Sequence, residues 1–114
     1  MRAISIRQPR IEAILRGKKI IEYRSRPTKV RGRIYLYASL GRYGDEHEAD
    51  MLSQYEIRNL TAGELPRGVL VGTVELYDCT EGDGEYHWHL RKPERAKRLV
   101  KPTIHPQPVW FKPF

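Results

Sequence analysis

A chain of 114 residues, 39% hydrophobic and 31% charged, is too short for two cores and buries roughly 60 to 70% of its unfolded surface as a single domain, residues 1–114. Cys79 is the lone cysteine, which excludes an internal disulfide, and no stretch approaches the roughly 18 apolar residues of a membrane span or forms a signal-peptide core, so the cytoplasm is the expected compartment. The net charge of +7 is unevenly spread, with +9 over residues 1–33, −8 over 44–83 and +5 over 84–114, which predicts one basic surface from the two chain ends and a separate acidic one, unless the two neutralise each other.

Arg2 to Ile6 alternates, with Ile4 and Ile6 on one face and Ser5 and Arg7 on the other, as a half-buried strand does. Pro9 suits the first turn of a helix, Ile11, Ile14 and Leu15 give that helix an apolar stripe, and Gly17 ends it. Lys19 to Arg24 reads as the second strand, followed by a basic loop over residues 25–32 with turn chemistry at Pro27 and Gly32. Arg33 to Ser39 alternates again, placing Ile34, Leu36 and Ala38 inward and Arg33, Tyr35, Tyr37 and Ser39 outward.

Asp45 to about Leu60 is predicted helical, with four carboxylates in its first two turns facing the positive end of the dipole. Val69 to Tyr77 is the strongest strand, Thr80 to Gly84 a polar loop, Glu85 to Leu90 a short strand and Glu94 to Lys97 one or two helical turns. Four prolines hold the tail from Lys101 extended, and Val109 to Phe111 is an edge strand. Short strands with few helices predict an α+β fold: a small mixed β-barrel of five or six strands with two or three flanking helices, closed so as to leave no bare sheet edge.

The ionisable groups inside the second strand are the most informative feature. Glu22 and Arg24 share one strand face, and Lys19 joins them only if the chain is still turning after Gly17. A buried Glu22 needs Arg24, Lys19 or Arg7 as partner. The stretch Gly17-x-Lys19-x-x-Glu22-x-Arg24, one short helix after Ser5-Ile6-Arg7-Gln8-Pro9, resembles the signature of the ASCH family (activating signal cointegrator homology), relatives of the PUA-type RNA-binding barrels. The resemblance implies a PUA-like barrel with a helix across one end and a cleft between them that carries the signature residues. It also implies that Trp88-His89-Leu90 and Pro108 to Phe111 close the barrel on the helix.

Two chemistries follow. In the first, the cleft takes a base or nucleotide of RNA, in preference to DNA. The nucleic-acid-binding set is then Ser5, Arg7, Gln8, Lys19, Glu22, Arg24, Arg26, Lys29, Arg31, Ser39 and His89, with the basic loop holding the backbone. In the second, the chain is an enzyme with Lys19 and Glu22 or Glu75 as catalytic groups. Part of the family resembles an amidohydrolase acting on acetylated cytidine, which pairs that lysine with a threonine and a glutamate; here Glu22 stands in the threonine's place and cannot serve as a hydroxyl. A further branch is similar to a metal-assisted ribonuclease, for which no set of carboxylate ligands is visible.

His87 and His89 would share a strand face, and with His105 or Cys79 suggest zinc, but their spacing matches no zinc motif, so no metal and no cofactor are expected. Tyr35 and Tyr37, interleaved with Arg33, are a base-stacking pair or packed residues. A protein-interaction role for the acidic helix rests on charge alone. The expected partner is RNA or another single strand, including a modified nucleoside, with no membrane; the sequence leaves the oligomeric state open.

Overall fold

A computed structural model describes all residues, 1–114. Alternation of Ile4 and Ile6 with polar neighbours makes β1 (Ala3–Arg7) a strand with one buried face. The chain then turns through Pro9 into α1 (Arg10–Leu15), whose Ile11 and Ile14 enter the core. Gly17 ends the helix at φ +73°, a conformation only glycine adopts without strain. Five further strands complete the frame: β2 (Ile21–Arg24), β3 (Gly32–Ser39), β4 (Val69–Gly82), β5 (Glu85–Val100) and β6 (Trp110–Phe111), with α2 (Asp45–Gln54) between β3 and β4. A single 3₁₀ turn spans Ala62–Glu64 and carries a capping box between Thr61 and Glu64.

The six strands form one mixed sheet in the order β2-β5-β4-β3-β1-β6. Only β1 and β3 run parallel, with Ser5 opposite Tyr37 and Arg7 opposite Ser39. The sheet curls into a half-barrel around Ile4, Ile6, Ile34, Leu36, Val74, Leu76 and Trp88, with α1 laid into its open side. A smaller apolar cluster of Ala13, Leu52, Ile57 and Ala62 fastens α2 to the far side of α1.

Four sequence expectations are corrected. Glu94 to Lys97 is not helical; it continues β5, because β4 supplies a ladder and Arg95 reaches Glu12 across it. Pro93 is accommodated where the β4–β5 register shifts, at a bulge that requires no ladder N–H from it. A Cβ on Gly72 would lie 2.3 Å from the Glu94 carbonyl oxygen, so glycine alone permits the two strands to cross this closely. Thr80 to Gly82 likewise belongs to β4, and the loop shrinks to Asp83-Gly84, both at positive φ as a two-residue hairpin turn requires. The helix from Asp45 stops at Gln54 rather than Leu60, and the chain turns through Glu56 and Asn59 at positive φ.

The sheet also stays open, because its edge strands β2 and β6 do not pair with each other. Side chains span the seam in place of a ladder. Trp88 of β5 stacks on Trp110 of β6 with centroids 5.5 Å apart and planes 8° from parallel. Arg24 of β2 donates to the Ser5 carbonyl of β1 at 3.2 Å.

Candidate nucleic-acid interface

The open seam is where the charged residues collect. Glu22 faces inward from β2 and is 1% exposed, so its charge requires close partners. Arg10, the first residue of α1, donates from Nη2 to Glu22 Oε1 at 2.6 Å, and Arg24 donates from Nε to Oε2 at 2.7 Å. Lys19 Nζ lies 3.4 Å from Oε1 and donates to the Ile21 carbonyl. Lys19 reaches this side because the chain is still turning: the backbone N–H groups of Lys18 and Lys19 both donate to the Ala13 carbonyl, and β2 begins only at Ile21. Three cations thus surround one carboxylate, a cluster with an excess of positive charge.

Arg10, Glu22 and Arg24 of that cluster form the floor of a cleft of about 660 Å³. Ser5, Arg7, Arg10, Glu22, Tyr23, Arg24, Ser39 and Tyr43 line it, and the tail segment His105 to Val109 makes the opposite wall. Arg7 is exposed at the rim, its guanidinium 5.2 Å from the Tyr43 ring centroid. Tyr43 accepts from Arg10 Nη1 at 3.0 Å. Its position is set in turn by Glu48, fully buried on α2, which accepts from the Tyr43 N–H and from Arg42.

Of the residues anticipated from sequence, Ser5, Arg7, Glu22, Arg24 and Ser39 meet in this cleft, and Lys19 supports Glu22 from behind its wall. Gln8 does not reach it: fully buried, its amide donates to the Pro66 carbonyl and accepts from the Glu12 N–H. Lys29 and Arg31 border a separate depression with Arg2 and Trp110, and Arg31 donates to its own loop carbonyls. The Arg26 side chain is exposed, while its carbonyl accepts from Trp88 Nε1. His89 is on the outer face of the sheet, sharing a 2.8 Å hydrogen bond with Thr80. Glu75 pairs with Arg91 across the β4–β5 ladder, away from the cleft. Tyr37 is buried edge-on against Phe111 and Tyr35 packs against Phe114, because β6 and the tail cover that face. No group of three or more His, Cys, Asp or Glu side chains is placed to hold a metal ion.

Arg10, Tyr43 and the tail wall were absent from the sequence reading. Arg10 carried one usable signal, since a residue opening a helix directs its side chain back over the preceding turn, here toward the strand ends. Tyr43 and His105 to Val109 carried none, because they reach the cleft only through tertiary packing.

A family model for the ASCH domain matches residues 4–101, which covers both the cleft-forming strands and the motif at Gly17 to Arg24. The chain belongs to the ASCH domain family. ASCH domains are PUA-like, and the curled six-stranded α+β half-barrel accords with that membership. No curated protein matches the chain. In this ASCH domain no helix is long and apolar enough to cross a membrane.

Electrostatics shape the titration of this ASCH domain. Burial pulls the Lys19 pKa down, Glu22 partly restores it, and the net shift is downward. The Glu48 carboxyl is held below the ordinary carboxylate range by hydrogen bonds from Arg42. Burial raises that of Glu12, but hydrogen bonds from Arg95 and Arg16 outweigh it, so it too is lowered. A carboxyl with a lowered folded-state pKa contributes stability that is complete above its unfolded-state value, about 4.3 for glutamate, and is lost as pH falls through the folded-state value. Stability is therefore expected to hold down to about pH 5 and decline below about pH 4. In Glu48→Gln the acid limb of a urea-midpoint profile is expected to be shallower than in the wild type; an identical limb removes Glu48 from this account.

Proposed function

We propose that the cleft binds a nucleotide unit of RNA, its cations holding phosphate and the Glu22 cluster presenting donors to the base. The observation that carries this reading is the convergence of Arg10 and Arg24, with Lys19 behind them, on a single buried carboxylate at a solvent-reachable opening whose rim carries Arg7. Glu22 neutralises one charge of the four, and the excess selects an anion. The volume, about 660 Å³, falls within the roughly 300–1,000 Å³ of small-ligand sites. Tyr23 and Tyr43 add aromatic surface beside the charge, the combination by which single-stranded RNA is held.

Arg7 is the residue for a clean test, because it has no carboxylate partner to strand. Arg7→Ala is expected to weaken single-stranded RNA binding by about tenfold, the low end for hydrogen bonds to a charged group. It leaves the melting temperature within a degree or two, as surface changes do. Titration of labelled RNA with both proteins checks this, and equal affinities remove Arg7 and the cleft rim from the interface.

One observation supports a second reading, a hydrolase acting on a modified nucleoside or a ribonuclease: the Lys19 amine is desolvated, with its pKa lowered, as an amine base or nucleophile requires. Against it, that amine is engaged by Glu22 and the Ile21 carbonyl and lies outside the cleft lining. Acylated nucleosides and labelled RNA, each incubated with the protein with and without divalent metal, separate the two readings. Turnover abolished by Lys19→Ala decides for catalysis.

A further inference from the structure

Beyond the cleft, the outer face of β2, β5 and β4 carries a row of rings. Tyr23 sits edge-on to His87 with centroids 4.9 Å apart, His87 is 6.4 Å from His89, and His89 is 6.0 Å from Tyr77. The register explains the row: Tyr23 pairs with His87 and Ile21 with His89, so alternation turns both histidines outward while Trp88 between them is buried. Tyr23 and Tyr77 are left 46% and 40% exposed. Both ends of the row hold a cation, Lys19 Nζ at 5.2 Å from the Tyr23 ring centroid and Arg91 at 4.3 Å from that of Tyr77. At its centre the His87 ring is fixed, its Nε2 edge buried against Gly82 of β4.

We infer that Tyr23, His87, His89 and Tyr77 form a stacking track along which a single-stranded nucleic acid continues from the cleft. The inference rests on the cleft reading above, and Tyr23 is the junction, because it lines the cleft and opens the row. Aromatic rings accept any base face, whereas the cleft takes one unit, so the track extends the site from a nucleotide to an oligomer. Charge biases its course: the β4–β5 turn beyond His87 holds three carboxylates, Glu81, Asp83 and Glu85, with no cation paired to them, whereas toward Tyr77 there are two, Asp78 opposite His89 and Glu75, the latter offset by Arg91. The strand therefore runs toward Tyr77 and Arg91.

Calorimetric titration with an eight-nucleotide oligouridylate, the matching oligodeoxyuridylate and uridine monophosphate tests this. Tyr77→Ala and His89→Ala are each expected to weaken octamer binding at least fivefold, the lower bound of one base–aromatic stack, and to leave the monophosphate affinity unchanged. Tyr77→Phe, which retains the ring, is expected to bind as the wild type. An octamer carrying 2-aminopurine should be quenched on the wild type and less so on Tyr77→Ala. Both variants alter exposed or half-buried positions, and melting curves establish that they fold. Unchanged octamer affinity in both, while Arg7→Ala still weakens it, overturns the track and leaves the cleft reading standing. Failure of the wild type to bind any of the three overturns both. The RNA and DNA arms separate recognition of ribose from stacking that any single strand satisfies.

Discussion

Glu22→Ala is expected to destabilise the domain by about 3 kcal/mol or more, toward the low end of the roughly 3–5 kcal/mol for breaking a buried ion pair. The cause is what remains: Arg10, Lys19 and Arg24 stay clustered at the seam with no counter-charge. Side-chain exposures of 25% and 21% let Arg10 and Arg24 swing toward cleft water, whereas Lys19, at 7%, has no such route. Lys19 therefore sets the penalty, and its desolvated ammonium is expected to titrate lower still. A loss of 3 kcal/mol in a domain of this size lowers the melting temperature by roughly 10 °C. Urea denaturation read by tryptophan fluorescence measures it directly, since Trp88 and Trp110 stack across the same seam. A loss below 1 kcal/mol would show that water, not Glu22, balances these cations. The same substitution raises the net positive charge of the cleft, so any folded fraction should hold RNA more tightly but with poorer discrimination among bases.

The second large effect is on RNA affinity as a function of salt. Each phosphate neutralised on a single strand contributes about −0.7 to the slope of log K against log salt. Arg7, Arg10 and Arg24 in the cleft, with one or two further cations such as Arg26 nearby, amount to three to five contacts and a slope of roughly −2 to −3.5. Between 50 and 200 mM salt, affinity is then expected to fall by roughly 20- to 100-fold. Fluorescence anisotropy over that range gives the slope, and Arg7→Ala should flatten it by about 0.7. A flat response in the wild type would mean that no phosphate is neutralised and that the basic seam faces some other partner.

How much of this was legible in sequence varies with the range of the interaction. The strands at residues 3–7, 32–39 and 69–77 announce themselves through alternation and β-branched residues, which are local properties. Asp83-Gly84 was equally local, a two-residue hairpin signal inside a segment read as a loop. Residues 94–97 were not legible in the same way, because Glu94, Arg95, Ala96 and Lys97 favour helix by propensity and become strand only through pairing with β4. The candidate site divides along the same line. Glu22 and Arg24 share a face by spacing alone, while Lys19 joins them through a turn that depends on the Ala13 carbonyl.

Residue order by itself determined the single-domain α+β character, the separation of basic ends from an acidic middle, and a charged motif that has to be paired wherever it is buried. These follow from periodicity and desolvation, which act within a few residues. Only the tertiary structure decided that the sheet remains unclosed between β2 and β6, that Arg10 and Tyr43 complete the cluster, and that the tail walls the cleft. Curvature and seam are set by bulges and by long-range packing of Trp88 on Trp110, contacts between residues distant in the chain that no local pattern records.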